Sequence, residues 1–140
     1  MKKGLTMGGT LLIAVMLAFM AYVRLSPIDA GRWHLPVNAA EDLDMAGGAV
    51  RVVAGDANTF AALNDAALDL PRTQVLAGSV AEGRVTYVTR SMVFGFPDMT
   101  TIELAPDGNI RLFARLRFGG SDLGVNRKRL EGLIAAVQGG

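Results

Sequence analysis

Three arginines, Arg111, Arg115 and Arg117, stand at even spacing near the end of the chain with Phe113 among them. On a β-strand alternate residues share a face, so these four project together while Leu112, Ala114, Leu116 and Phe118 point the other way, toward a core. A guanidinium offers a planar fork of donors that matches phosphate or carboxylate and stacks on aromatic rings. The row is therefore a candidate anion site, and a lipid headgroup beside a membrane anchor is the ligand nearest to hand. The competing reading is a solvated sheet face whose arginines pair with Glu103 and other acids across the hairpin, each exposed pair adding little stability.

A second constellation joins Thr89, Arg90 and Ser91 to Phe94, Gly95, Phe96, Pro97 and Asp98, and then to Ser121, Asp122, Leu123, Gly124, Val125, Asn126 and Arg127. Glycines beside aromatics and a proline do not suit a strand interior. Val93 to Met99 is thus predicted to be a shaped loop, with Asp98 accepting from backbone amides or an arginine. Asp122 and Asn126 are capping residues for a following helix, and Ser121 can fix where it begins. Arg90 with Asp98, and Arg117 with Asp122, are candidate ion pairs. Asp98 and Asp122 together could hold a divalent cation or act as acid and base, but adjacent arginines keep carboxylates ionised and satisfied, which favours a structural role. A triad of Ser91 or Ser121 with His34, the one histidine, is geometrically poor, because His34 belongs to a segment near the anchor. Phosphate loops, dinucleotide fingerprints, zinc spacings and calcium loops are absent, and there is no cysteine. No catalytic residue, cofactor or metal is assigned.

These residues need elements to position them. From Gly4 to Val23 the sequence holds 20 residues without a charge, which at about 1.5 Å per residue crosses a hydrocarbon core of roughly 30 Å. A secretory signal is the alternative, since Lys2 and Lys3 precede an apolar run. Its cleavage positions are poor, with Phe19 and Ile28 standing where small residues belong before Ala21 and Ala30. Lys2 and Lys3 ahead of the span, against Arg24 and Arg32 behind it, lean toward a cytoplasmic N-terminus with the remainder outside. Tyr22 and Trp33 suit the headgroup level, and Gly4 with Gly8 would let another helix approach closely.

The segmentation follows: 1–3 as N-terminus, 4–23 as the span, 24–48 as a tether and acidic loop, and 49–140 as a soluble domain. Val50 to Val53 reads as a strand. Asp56 or Asn58 caps a helix carrying Phe60, Leu63, Ala67 and Leu70, which Pro71 stops. Thr73–Ser79 and Arg84–Ser91 form a hairpin around Ala81, Glu82 and Gly83. Thr100–Ala105 and Ile110–Phe118 form another across 106–109. Asn126 to Val137 is the last helix. The class is α+β, with an antiparallel sheet of about five strands and two helices on one face. Of 14 basic residues, Lys2 and Lys3 precede the span, leaving 12 against 13 acidic ones, so a nucleic-acid partner is not expected.

The stretch YVTRSMVFGFPDMTTIEL, followed by RLRFGGSDLGVNRKRLEGLIAAV, resembles the bacterial family called domain of unknown function 1499. The opening VRLSPIDAGRWH is similar to its short, membrane-anchored alphaproteobacterial members. The family pattern falls on Arg90, Ser91, Gly95, Asp98, Arg115, Ser121, Asp122, Gly124, Asn126, Arg127 and Arg129. Many members carry hydroxyls around the segment where this chain has Arg115, Leu116 and Arg117. The resemblance implies fold boundaries and an anchor but no activity. The expectation is a non-enzymatic accessory protein, a small subunit whose partners are the bilayer and other membrane proteins. An anion- or headgroup-binding module and a hydrolase built on Asp98 and Asp122 are the alternatives.

Overall fold

A computed structural model describes residues 2–139; Met1, within the expected N-terminal segment, and Gly140 lie outside the described residues. The chain runs α1 (Lys2–Leu25), α2 (Ala30–Trp33), β1 (Leu43–Met45), β2 (Gly48–Ala54), α3 (Ala57–Asp69), β3 (Thr73–Ser79), β4 (Arg84–Arg90), β5 (Pro97–Leu104), β6 (Asn109–Leu116) and α4 (Val125–Gln138). Within α1, Thr6–Leu25 has a mean hydropathy of 1.9 and is long and apolar enough to cross a membrane. By length and composition that fits a membrane anchor or a signal sequence. The hydroxyls of Thr6 and Thr10 donate to the carbonyls of Lys3 and Thr6, so they add no unsatisfied polar group to the helix surface.

The sheet is antiparallel throughout in the order β1-β2-β6-β5-β4-β3. It has six strands rather than about five, because Leu43–Met45 folds back on Gly48–Val50 where an acidic loop was expected. The acids there are exposed but paired. Asp44 and Asp42 flank Arg51 at 2.8 and 3.9 Å, and Asp42 also accepts from the Val52 amide. A second difference is that β5 starts at Pro97, so the shaped loop ends sooner than expected. Proline fits the first residue of a strand, where its missing N–H costs no ladder bond.

Helices α3 and α4 cover one face of the sheet. Phe60, Leu63, Ala67, Leu130 and Leu133 bury against Val85, Tyr87, Ile102, Ile110, Leu112 and Ala114. Each of the larger side chains contributes about 2 kcal/mol by leaving water. Asp56 caps α3 by accepting from the Thr59 amide, and Leu70 closes the helix ahead of Pro71. Inside this core the Tyr87 hydroxyl donates to Asn64 at 2.7 Å, and burial pushes its pKa up.

The opposite face is covered as well. Residues 26–40, within the stretch 24–48 expected as a tether and acidic loop, lie across it as a strap. Val37 is 4% exposed, and its amide donates to Glu103. His34 Nδ1 meets Thr86 Oγ1 at 2.8 Å, and Thr86 in turn bonds Thr101 across β4 and β5 at 2.9 Å. The strap passes over β3 at Gly78, whose φ is +84°; a Cβ there would lie 2.6 Å from His34 Cε1 and 2.1 Å from the Arg84 carbonyl oxygen. Glycine is what lets the histidine reach its threonine.

Candidate functional site

The arginine row projects to one face as its spacing implies, and there it fastens the strap. Arg111 Nε donates to the Ala39 carbonyl at 2.7 Å while its Nη2 pairs with Asp107 at 2.6 Å. Arg115 donates to the Trp33 carbonyl at 2.5 Å, to Thr101 Oγ1 at 2.9 Å and to the Phe113 carbonyl at 3.1 Å. Its guanidinium lies over the rings of Phe113 and Trp33, at 4.5 and 5.4 Å from their centroids. No carboxylate lies within ion-pair distance of it among the described residues, and burial pushes its pKa down to about 10. Arg117 reaches the Ser26 carbonyl at 3.5 Å and stacks on Phe118. Each fork of the row thus gives one donor to a strap carbonyl. Glu103, expected to answer this row, pairs instead with Arg84 at 2.5 Å.

The motif residues come together at the other end of the central strands. A cavity of about 350 Å³ is lined by Arg90, Ser91, Asp98, Ser121, Asp122 and Arg129, together with Arg72, Thr89, Phe96, Leu116, Phe118 and Val125. The two expected ion pairs are not among its contacts. In the β4–β5 register Asp98 sits opposite Thr89 and Arg90 opposite Pro97, so pleating turns Asp98 and Arg90 to opposite faces. Asp98 therefore meets Arg129 of α4, at 3.3 Å. Burial raises its pKa in spite of Arg129 and Asn126. For Asp122 burial also works upward, but the nearby side chain of Asn126 and the backbone amides of Asn126 and Gly124 take the carboxyl below its ordinary range. Asp122 Oδ1 accepts from the Gly124 amide at 2.9 Å and Oδ2 from the Asn126 amide at 3.1 Å, so it organises the start of α4, where Gly124 is the capping residue. Asn126 is fully buried with its Oδ1 taken by Arg129, and Arg127 faces Asp44 of β1 at 3.8 Å. Ser121 Oγ accepts from the Leu123 amide, and Ser91 Oγ accepts from the Phe96 amide at 2.9 Å. His34 lies on the strap and bonds neither serine.

The loop 91–96 and the end of β6 receive the last turns of α1. Phe19 meets Phe96 edge-on at 6.0 Å, Tyr22 meets Phe118 at 6.3 Å, and Phe96 contacts both Phe94 and Phe118. Val23 is fully buried. Arg24 donates to the Val93 carbonyl at 2.9 Å, with its side chain laid on Gly95, whose φ is +75°. Arg90 donates to the Gly95 carbonyl at 2.9 Å and to Val23 at 3.5 Å. Met92, Val93 and Leu123 remain exposed near this junction.

A further cavity, about 400 Å³, opens beside the foot of α1. Arg24, Ile28, Arg72, Gln74, Val75, Leu76, Val88, Arg90 and Ser91 line it. Arg72 was not singled out from the sequence. Its Nε donates to the Arg90 carbonyl at 2.9 Å, and the two backbones pair at the end of the β3–β4 hairpin. Counting outward from the hairpin turn would place Arg72 opposite Ser91, but a β-bulge between Val75 and Ala77 shifts the register by one.

An α+β domain with a helix packed at one end of its sheet and a strap over its outer face is the class this architecture defines. Residues 37–137 match the family described as Protein of unknown function (DUF1499), and the chain belongs to that family. No curated protein matches the chain.

Proposed function

We propose that this chain is a non-enzymatic, membrane-anchored accessory protein, a small subunit that meets the other members of a bacterial membrane assembly through α1 and the loops beside it. The observation that carries this reading is the junction itself. Val23 is buried against the domain, and the exposed side chains of Phe19, Tyr22 and Arg24 touch it, which supports a retained helix over a leader to be removed. Lys2 and Lys3 before the span favour an N-terminus in the cytoplasm and a domain in the periplasm. Exposed Met92, Val93 and Leu123 give the membrane-proximal end apolar surface for a partner or the interface.

The groups that catalysis would need are engaged in holding the fold. Asp122 serves backbone amides, Asp98 serves Arg129, and Ser91 and Ser121 accept loop amides. The hydrolase reading keeps one supporting feature, the opposite displacement of the Asp98 and Asp122 pKa values around one cavity. The anion-binding reading is weaker at its first location, because the strap lies over Arg111, Arg115 and Arg117 and takes one donor from each. Purification of the tagged full chain from detergent-solubilised membranes, at native abundance, tests the proposal. Stoichiometric partner subunits are expected, and a clean monomer would sink it.

A further inference from the structure

We propose that the cavity at the foot of α1 binds the phosphate group of an anionic phospholipid from the adjoining leaflet. This rests on α1 being a membrane anchor, and it concerns a site separate from the arginine row under the strap. Arg24, Arg72 and Arg90 all face this space, and among the described residues no carboxylate lines it. Nor does any of the three lie within ion-pair distance of an acid among the described residues, whereas Arg51, Arg84, Arg111, Arg127 and Arg129 all do. Burial, and then the like charges of Arg24 and Arg117, lower the Arg90 pKa, which is the mark of cations gathered without a counter-charge.

Each fork is also held in place before any ligand arrives. Arg24 is pinned by the Val93 carbonyl, Arg72 by the Arg90 carbonyl, and Arg90 by the carbonyls of Gly95 and Val23. A guanidinium has five N–H donors, so at least three remain on every one of these side chains. Pinned forks lose little conformational freedom on binding an oxyanion. The Ser91 hydroxyl, whose oxygen accepts from Phe96, keeps its own proton to donate.

The rest of the lining selects a lipid. Ile28, Val75, Leu76 and Val88 give the cavity an apolar wall suited to the glycerol and upper acyl carbons behind a phosphate. Arg24 occupies the next-to-last position of the apolar span, which sets the cavity at headgroup depth. The neighbouring cavity, bordered by Asp98 and Asp122, is the poorer host for an anion.

Native mass spectrometry of the full chain, released from nanodiscs that mix phosphatidylglycerol with phosphatidylcholine, tests the assignment. One phosphatidylglycerol should stay bound after phosphatidylcholine has been stripped. Arg72→Gln should weaken that retention about tenfold or more, the loss expected when charge-assisted bonds to one fork disappear. Arg24→Gln, which alters the helix and leaves the domain sequence untouched, should do the same. Unchanged Trp33 fluorescence will show that each variant is folded. Equal retention of both lipids, or retention indifferent to both substitutions, overturns the proposal. So does occupancy by inorganic phosphate at concentrations that displace the lipid, since the ligand would then come from solution. Alkaline extraction of membranes separates the two levels of failure. A chain that washes out removes the anchor reading, whereas one that stays yet shows no lipid preference removes only this site.

Discussion

Arg115 sits between two aromatic rings with its donors spent on three neutral oxygens, and that geometry makes it a fastener. A lysine would supply the charge without the planar fork or the stacking. Arg115→Gln should cost about 3 kcal/mol by removing charge-assisted bonds at a buried position. It should also release Trp33, the sole tryptophan, so that its emission shifts to the red in the folded protein. Unshifted emission would show that the strap is held by something else. The type and direction of these side chains were legible in the sequence, because alternation decides which face a strand residue takes. Their partners were not, since a main-chain carbonyl some 80 positions away leaves no signature in residue types. The same limit applies to Asp98, whose sequence neighbour Arg90 looked like its partner until pleating placed the two on opposite faces.

Among the elements, both hairpins and both domain helices could be read from apolar period and turn residues, because local chemistry decides them. Strand β1 and the strap could not, because both are held by long-range contacts that override local polarity. Thr73 to Ser79 illustrates the point: it reads as a plain hairpin strand, yet it carries a bulge, and Gly78 leaves room for His34. Gly78→Ala should therefore destabilise the domain by roughly 2 kcal/mol, from the positive φ together with the clash at Arg84 and His34. Thermal unfolding followed by Trp33 emission measures it. A variant as stable as the parent would mean the strap does not depend on this crossing.

At the scale of the whole molecule, the helix meets the domain through a small aromatic cluster in which Phe96 touches Phe19, Phe94 and Phe118. Phe96→Ala should leave the sheet folded but loosen the domain from the helix. The loop 91–96 should then be cut faster by protease in nanodisc-embedded protein, while global unfolding changes less. Equal cleavage rates in parent and variant would place the rigidity elsewhere.

That junction also shortens the part of α1 that lipid alone surrounds. From Gly4 to Ala18 there are 15 residues before the first ring contact with the domain, about 22 Å of helix against a hydrocarbon thickness of roughly 30 Å. With α1 crossing a bilayer, the missing length must come from the aromatic collar sinking below the headgroups or from the lipid layer pinching inward around it. Either response carries an elastic cost that shrinks as the bilayer thins. On the anchor reading, the expected outcome is that such a chain gathers where the membrane is already thin and beside other proteins that thin it.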